Sequence, residues 1–204
     1  TGKTGAFAIP VIDKIITSDE GCALIVTPTR ELAKQVINVV RDLLGPSNSV
    51  KACCLIGGEA IGKQLNQLKR KPRIIIGTPG RINDHLEKKS LSLKKATYLV
   101  LDETDRMLDM GFGIQIDQIL KFMPQERQTL MFSATFPKNI ITLSKNNKTI
   151  PLKQINNPKD NNCCQIGTPK GMRISITTGE VSGINENTVE TVPWGSSITV
   201  KIPT

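Results

Sequence analysis

The strongest chemical signal in the sequence is a group of carboxylates that closes an apolar run. Leu99, Val100 and Leu101 lead directly into Asp102, Glu103, Thr104 and Asp105. If the run is a buried strand, Asp102 and Glu103 stand at its carboxyl end, where open α/β sheets bind ligands. In that position Asp102 could hold a divalent cation bridging phosphates, and Glu103 could orient or deprotonate an attacking water. The same residues also suit an acidic helix start stabilised by the helix dipole. The segment by itself leaves both readings open.

Two further segments complement these carboxylates. The chain opens with Thr1, Gly2, Lys3 and Thr4, followed by a helical pattern. A phosphate loop needs backbone N–H groups aimed at the anion, a lysine for the outer phosphates and a hydroxyl for Mg²⁺. Lys3 and Thr4 fit the last two roles, although a triplet this short also reads as a solvated helix start. The other segment is Phe132, Ser133, Ala134, Thr135, Phe136 and Pro137. Its hydroxyls could hydrogen-bond Asp105, or serve only as a helix cap.

Three more segments sit at or just after the ends of apolar runs. Pro28, Thr29, Arg30 and Glu31 open a helix, Gly57 and Gly58 follow a strand, and Thr78, Pro79, Gly80 and Arg81 open another helix. All three offer backbone amides or a helix start to a phosphate, with Arg30 and Arg81 adding positive charge. Each also reads as ordinary strand-to-helix turn chemistry. His85, in the helix after Arg81, reads as a surface or internally satisfied histidine, not a catalyst.

The elements that must position these residues alternate along the chain. Strands are expected at 23–26, 52–56, 73–76, 98–101 and 129–132, each a largely continuous apolar run. Such runs are typical where helices cover both faces of a parallel sheet. Helices are expected at 5–16, 30–44, 61–69, 81–88 and 115–122, with another beginning near Lys138. Gly45 and Pro46 stop the second of these. The rhythm predicts a doubly wound, mostly parallel α/β sheet across 1–144. From 145 to 204 asparagine becomes frequent and helical periodicity fades. Alternation at 172–178 and 197–202 predicts short strands in that tail, or disorder.

Composition narrows the function classes. Hydrophobic residues make up 38% of the 204 residues, enough for a core, while aromatics are only 3%. Ile, Leu and Val must therefore fill that core. The net charge of +9 permits nucleic-acid binding. It is spread out, with 20 basic against 14 acidic residues up to 144 and 7 against 4 beyond. Cys22, Cys53, Cys54, Cys163 and Cys164 form no metal-binding spacing and no disulfide framework, which suits reduced thiols in the cytoplasm. No apolar run approaches the ~20 residues needed to span a bilayer, so no membrane association is expected.

Taken in order, Gly2-Lys3-Thr4, the segment from Pro28 to Ala33, Gly57-Gly58, Thr78 to Arg81, Asp102 to Asp105 and Ser133 to Thr135 resemble the DEAD-box RNA helicase family. The stretches 101–112 and 128–137 look like bacterial-type members, and the resemblance covers about 1–144. It implies a RecA-like P-loop NTPase domain that uses ATP and Mg²⁺. By that resemblance Gly2, Lys3 and Thr4 hold the phosphates, Thr4 and Asp102 the metal, and Lys3, Asp102 and Glu103 serve hydrolysis. Asp105, Ser133 and Thr135 would couple ATP to RNA. Pro28, Thr29, Arg30, Glu31, Gly57, Gly58, Thr78, Pro79, Gly80 and Arg81 would hold one RNA strand by its backbone, independently of sequence.

The sequence departs from the family pattern in four ways. Thr104 replaces an alanine, a small-for-small change expected to be tolerated. The early glycine of the phosphate loop, its preceding strand and the upstream adenine-recognising motif have no counterpart, so the sheet is expected to lack an interior strand and expose two edges. No second RecA-like domain is found, although the parent protein is expected to have one. Residues 145–204 match nothing in the family and are expected to carry no helicase function. The chain is therefore expected to hydrolyse ATP poorly by itself. The alternatives are a non-catalytic RNA-binding fragment or a degenerate product without ATPase activity.

Overall fold

The computed structural model describes residues 3–134 and, beyond them, the backbone of four short strands. The described chain runs α1 (Lys3–Thr17), β1 (Cys22–Val26), α2 (Arg30–Leu44), β2 (Ala52–Leu55), α3 (Ile61–Lys69) and β3 (Ile74–Gly77). It continues with α4 (Pro79–Glu87), β4 (Ala96–Leu101), α5 (Thr104–Asp109), α6 (Gly113–Lys121) and β5 (Gln128–Ser133). All five expected strands form. Their apolar runs are continuous because both faces are covered, and every residue of β1 and β3 is buried. Helix α2 has the expected bounds because its ends are chemically marked. The Thr29 hydroxyl accepts the Leu32 N–H at 3.2 Å, and Gly45 ends the helix with φ of 69°.

The sheet has the order β2-β3-β1-β4-β5, and every adjacent pair is parallel. Side chains alternate between its two faces. On one face Ala23, Ile25, Cys54, Ile74, Ile76, Val100, Leu130 and Phe132 meet α1 and α2 through Phe7, Val11, Ile15, Val36 and Val40. On the other, Leu24, Val26, Leu55, Ile75, Leu99, Leu101 and Met131 meet Ile82, Leu86, Met107, Ile116 and Ile119 of α4, α5 and α6. The core is aliphatic, as the composition requires, apart from the tilted pair Phe7 and Phe132 with ring centroids 5.2 Å apart. Cys22, Cys53 and Cys54 are buried and free, and burial pushes the Cys53 thiol up to about 12.

Three expectations need correction. No gap opens within the sheet: β4 and β5 pair directly, from Tyr98 with Gln128 to Leu101 with Met131. The outer edge of β5 is itself met by the two-residue strand β6 (Leu152–Lys153). The expected loss of an interior member therefore leaves no gap between these hydrogen-bonded neighbours, and among the described residues no strand precedes α1. Second, α4 starts at Pro79, not Arg81, because proline is pre-organised for the first helical position. Third, the short helix α5 is absent from the helices expected by periodicity, because its six residues are too few to show a helical period; only the acidic helix-start reading of its first residues pointed to it.

In the tail, β7 (Cys163–Gly167) pairs antiparallel with β8 (Arg173–Thr178), and β8 pairs parallel with β9 (Ser197–Ile202). The last two are the strands expected from alternation; β7 was not foreseen. The helix expected near Lys138 lies outside the described residues, as do Gly2, Thr135, Phe136 and Pro137.

Candidate functional site

Because every strand of the main sheet is parallel, their carboxyl ends share one edge. Backbone hydrogen bonds stitch the loops leaving that edge. Thr27 N–H donates to the Gly77 carbonyl at 3.0 Å, Thr78 N–H to Leu55 at 3.1 Å, and Asp102 N–H to Val26 at 3.0 Å. Thr27, fully buried, also donates its hydroxyl to the Thr29 carbonyl at 3.2 Å and so shapes the turn into α2. The segments that follow β1, β3 and β4 are therefore each anchored one residue beyond their strand.

Asp102 follows β4 and is only 2% exposed. Burial raises its carboxyl above the ordinary range, and the nearby Glu103 charge raises it further. The Lys3 ammonium and the Glu103 N–H, which donates to Asp102 Oδ1 at 3.0 Å, act in the opposite direction. Lys3 and Asp102 thus share one electrostatic environment, although 98 residues separate them in sequence. Thr4 stands beside Lys3 in the first turn of α1.

Glu103 caps α5 with a left-handed backbone, φ 51° and ψ 51°. A non-glycine residue held there carries strain of about 1 kcal/mol or more, and such outliers cluster at functional sites. The bend turns Glu103 off the strand line, where its carboxylate accepts Arg106 Nη1 at 3.1 Å on the half-exposed surface. The strand-end and helix-start readings of this segment both hold, since the carboxylates end β4 and begin α5. Thr104 is fully buried and donates its hydroxyl to the Leu101 carbonyl at 3.2 Å, so the added polar group is satisfied.

Asp105 ties this turn to β5. Its N–H donates to Ser133 Oγ at 3.2 Å, and its Oδ2 accepts the Ala134 N–H at 3.1 Å. The hydroxyl contact expected from sequence is present, with the Ser133 oxygen as acceptor.

The remaining segments meet on the same edge. The Arg30 guanidinium lies over Gly57 and Gly58: a Cβ on Gly57 would come within 3.9 Å of Arg30 Nε, and one on Gly58 would collide with Nη1. Gly58 also has φ of 77°, a conformation that favours glycine. Arg81 has its positive charge already engaged within the protein. Its Nη1 donates to the Glu59 carbonyl at 3.1 Å, and its Nε pairs with Asp84 at 3.2 Å, leaving the side chain 13% exposed. Pro28 and Pro79 are buried, while Arg30 and Glu31 are exposed. Thr78 caps α4 in an extended conformation without a side-chain capping bond.

Sequence reasoning missed Gln64 and Asn83. Asn83 donates to the Gln115 carbonyl at 3.0 Å and to Gln118 Oε1 at 3.2 Å, fastening α4 to α6. Gln64 bonds His85, which is internally satisfied and 1% exposed. No local pattern marks a lone amide as buried, so neither was visible from spacing. A cavity of about 710 Å³ lined by Arg41, Pro46, Lys51 and Arg70 contains none of these residues.

Among the described residues no three His, Cys, Asp or Glu side chains gather as a metal cage. A magnesium–phosphate site needs none, because Mg²⁺ is ordinarily held by one or two carboxylates together with substrate oxygens and water. The undercompensated carboxylate of Asp102 fits that role. Among the same residues no helix is long and apolar enough to cross a membrane.

A parallel sheet with helices on both faces, a lysine near a strand-end carboxylate and two arginine-bearing loops on one edge define a RecA-like α/β domain. The chain belongs to the DEAD/DEAH box helicase family, whose model matches residues 1–143. It is 45% identical over 155 residues to the ATP-dependent RNA helicase DDX47 of Drosophila melanogaster, covering 75% of this chain and 30% of that protein. It is 47% identical over 156 residues to the ATP-dependent rRNA helicase RRP3 of Saccharomyces cerevisiae, covering 75% of this chain and 31% of the relative. The structure of a DEAD box protein from the hyperthermophile Methanococcus jannaschii superposes with a TM-score of 0.66 at 43% identity. That match covers 71% of this chain and 39% of the other. The chain thus spans about a third of the length of these curated relatives.

Proposed function

We propose that the protein is an ATP-dependent RNA helicase, with residues 1–144 forming the part of its motor that binds ATP and one RNA strand. The observation that carries this reading is the buried Asp102 carboxylate at the carboxyl edge of a parallel sheet, with Asp105 bonded to Ser133 beside it and the Lys3 charge acting on it. The names of the relatives, which join ATP to RNA or rRNA, support it.

In this reading Gly2 and Lys3 receive the phosphates, the Lys3 ammonium neutralising charge on the outer ones. Asp102 and Thr4 hold Mg²⁺, which when bound neutralises charge developing on the phosphate oxygens. Glu103 aligns a water and takes its proton as the water oxygen bonds to the γ-phosphorus. The bond from that phosphorus to the β-phosphate oxygen breaks, leaving ADP and phosphate. Asp105, Ser133 and Thr135 relay this event to the loops that hold RNA.

The RNA is held through its sugar–phosphate backbone by Pro28 to Glu31, Gly57-Gly58 and Thr78 to Arg81, without regard to base sequence. A second RecA-like domain of the whole protein faces this edge and completes the site. Residues 145–204 take no part in hydrolysis. The cytoplasm is the expected compartment.

The test is ATP hydrolysis by the whole protein, second domain included, with and without single-stranded RNA, alongside Lys3→Ala and Glu103→Gln; residues 1–204 alone should turn over poorly. RNA should stimulate turnover, and each substitution should lower it by about a hundredfold or more. RNA binding that ignores nucleotide, with no hydrolysis by the unaltered protein, would favour a non-catalytic RNA-binding role instead.

A further inference from the structure

Two buried polar side chains outside the motif segments meet in the core: Gln64 of α3, fully buried, and His85 of α4, 1% exposed. Gln64 Nε2 donates to the Ile56 carbonyl at 2.8 Å, which fixes the orientation of its amide. Its Oε1 therefore faces His85 Nε2, 3.0 Å away, and that nitrogen must carry the proton. His85 Nδ1 is left as an acceptor, 2.8 Å from Ser90 Oγ. Burial lowers the basicity of His85, with Arg81 and Lys88 adding to the effect and Asp84 opposing it, in keeping with a neutral imidazole.

The ends of this chain of bonds are what give it significance. Ile56 immediately precedes Gly57 and Gly58. His85 lies one turn after Arg81 on α4, and Arg81 donates to the Glu59 carbonyl at 3.1 Å. The glycine loop is thus held to α4 on both sides, at Ile56 through Gln64 and His85 and at Glu59 through Arg81. Core stability would be served as well by apolar side chains of similar volume, since buried polar pairs gain little net free energy. A satisfied buried network instead fixes one geometry.

We propose that Gln64 and His85 are positioning residues for RNA binding, forming a clamp that sets the distance between the Gly57-Gly58 loop and the amino terminus of α4. This rests on the RNA-binding reading above. An RNA backbone that bridges the two segments needs that distance held, and misplacement by about an ångström can cost a large factor in a pre-organised site.

The experiment measures binding of a fluorescently labelled single-stranded oligouridine to the protein at fixed salt, and binding of a fluorescent adenine nucleotide in parallel. Gln64→Leu and His85→Phe should each weaken RNA binding roughly tenfold, about 1.4 kcal/mol. Nucleotide affinity should stay within about twofold, which a general loss of folding would not allow. The double variant should be no worse than either single one. His85→Gln keeps an N–H able to reach Gln64 and should retain RNA affinity, whereas His85→Asn is too short and should lose it. That amide pair decides the matter if the apolar variants do not fold. RNA affinity equal in His85→Gln and His85→Asn, or equal losses of RNA and nucleotide binding, overturns the clamp alone. Failure of the unaltered protein to bind RNA overturns the RNA reading and the clamp with it.

Discussion

The Asp105 amide donates to the Ser133 hydroxyl at 3.2 Å, joining the start of α5 to the end of β5. The return bond from Ala134 N–H to the Asp105 carboxylate makes the tie reciprocal. Residues that follow two neighbouring strands are thereby locked together next to Asp102 and Glu103. A change at the carboxylate turn must move the segment after β5 or break these bonds.

Ser133→Ala removes the acceptor of one bond and keeps the strand. Loss of a part-buried hydrogen bond costs about 1 kcal/mol. Thermal unfolding should therefore shift only modestly, while RNA should stimulate hydrolysis several-fold less than in the unaltered protein. Comparing turnover with and without RNA checks this: equal stimulation in the two proteins removes the coupling role.

Asp102 should destabilise the fold that needs it. Its folded pKa is raised, so the folded state binds more protons than the unfolded chain between the ordinary value of 3.8 and that raised value. Stability contributed by the protonated form is consequently lost as pH climbs through this window. Asp102→Asn keeps an oxygen for the Glu103 N–H and removes the buried charge. At neutral pH, without nucleotide, its melting temperature should rise by about 2–4 °C for each kcal/mol recovered. Its hydrolysis of Mg²⁺-ATP should fall by about a hundredfold or more. A lower melting temperature would show that the carboxylate is structurally required.

The contrast between what sequence revealed and what it hid follows the range of the interactions. The five strands and α2 were readable because continuous apolar runs, a Thr29 cap and a Gly45 stop are local signals. Asp102, Lys3 and Ser133 could be nominated from neighbouring residues, yet the bond between Ser133 and Asp105 depends on strand order, which no local pattern encodes. The bond from Arg81 to the Glu59 carbonyl was hidden for the same reason, whereas its pairing with Asp84 is a local i,i+3 contact within α4. Gln64 looked like any exposed amide on a polar helix, and its burial depends on His85 arriving from another element.

Gly58→Ala tests the packing of Arg30 on the glycine loop. A methyl group there meets the Arg30 guanidinium and must also adopt φ near 77°. The backbone penalty alone is about 1 kcal/mol. RNA affinity should drop because Arg30 is displaced, with nucleotide affinity unchanged. A crystal structure of the variant with Arg30 still in place, and unaltered RNA binding, would remove the glycine's role in seating that cation.

Arg30 and Arg81 should separate the two ways in which a basic residue can serve RNA. Arg30 is exposed, so Arg30→Ala should cost little stability and should reduce the salt dependence of RNA binding by about one phosphate contact, a slope change near 0.7 for a single strand. Arg81 is committed to the Glu59 carbonyl and Asp84, so Arg81→Ala should unfold at lower temperature and weaken RNA binding chiefly by freeing the glycine loop. Its salt slope should change less than that of Arg30→Ala. Binding isotherms at several salt concentrations, set beside melting curves, distinguish the two. If both variants lost the same slope with no change in melting, Arg81 would be a direct phosphate contact, and its bond to Glu59 would have to open when RNA binds.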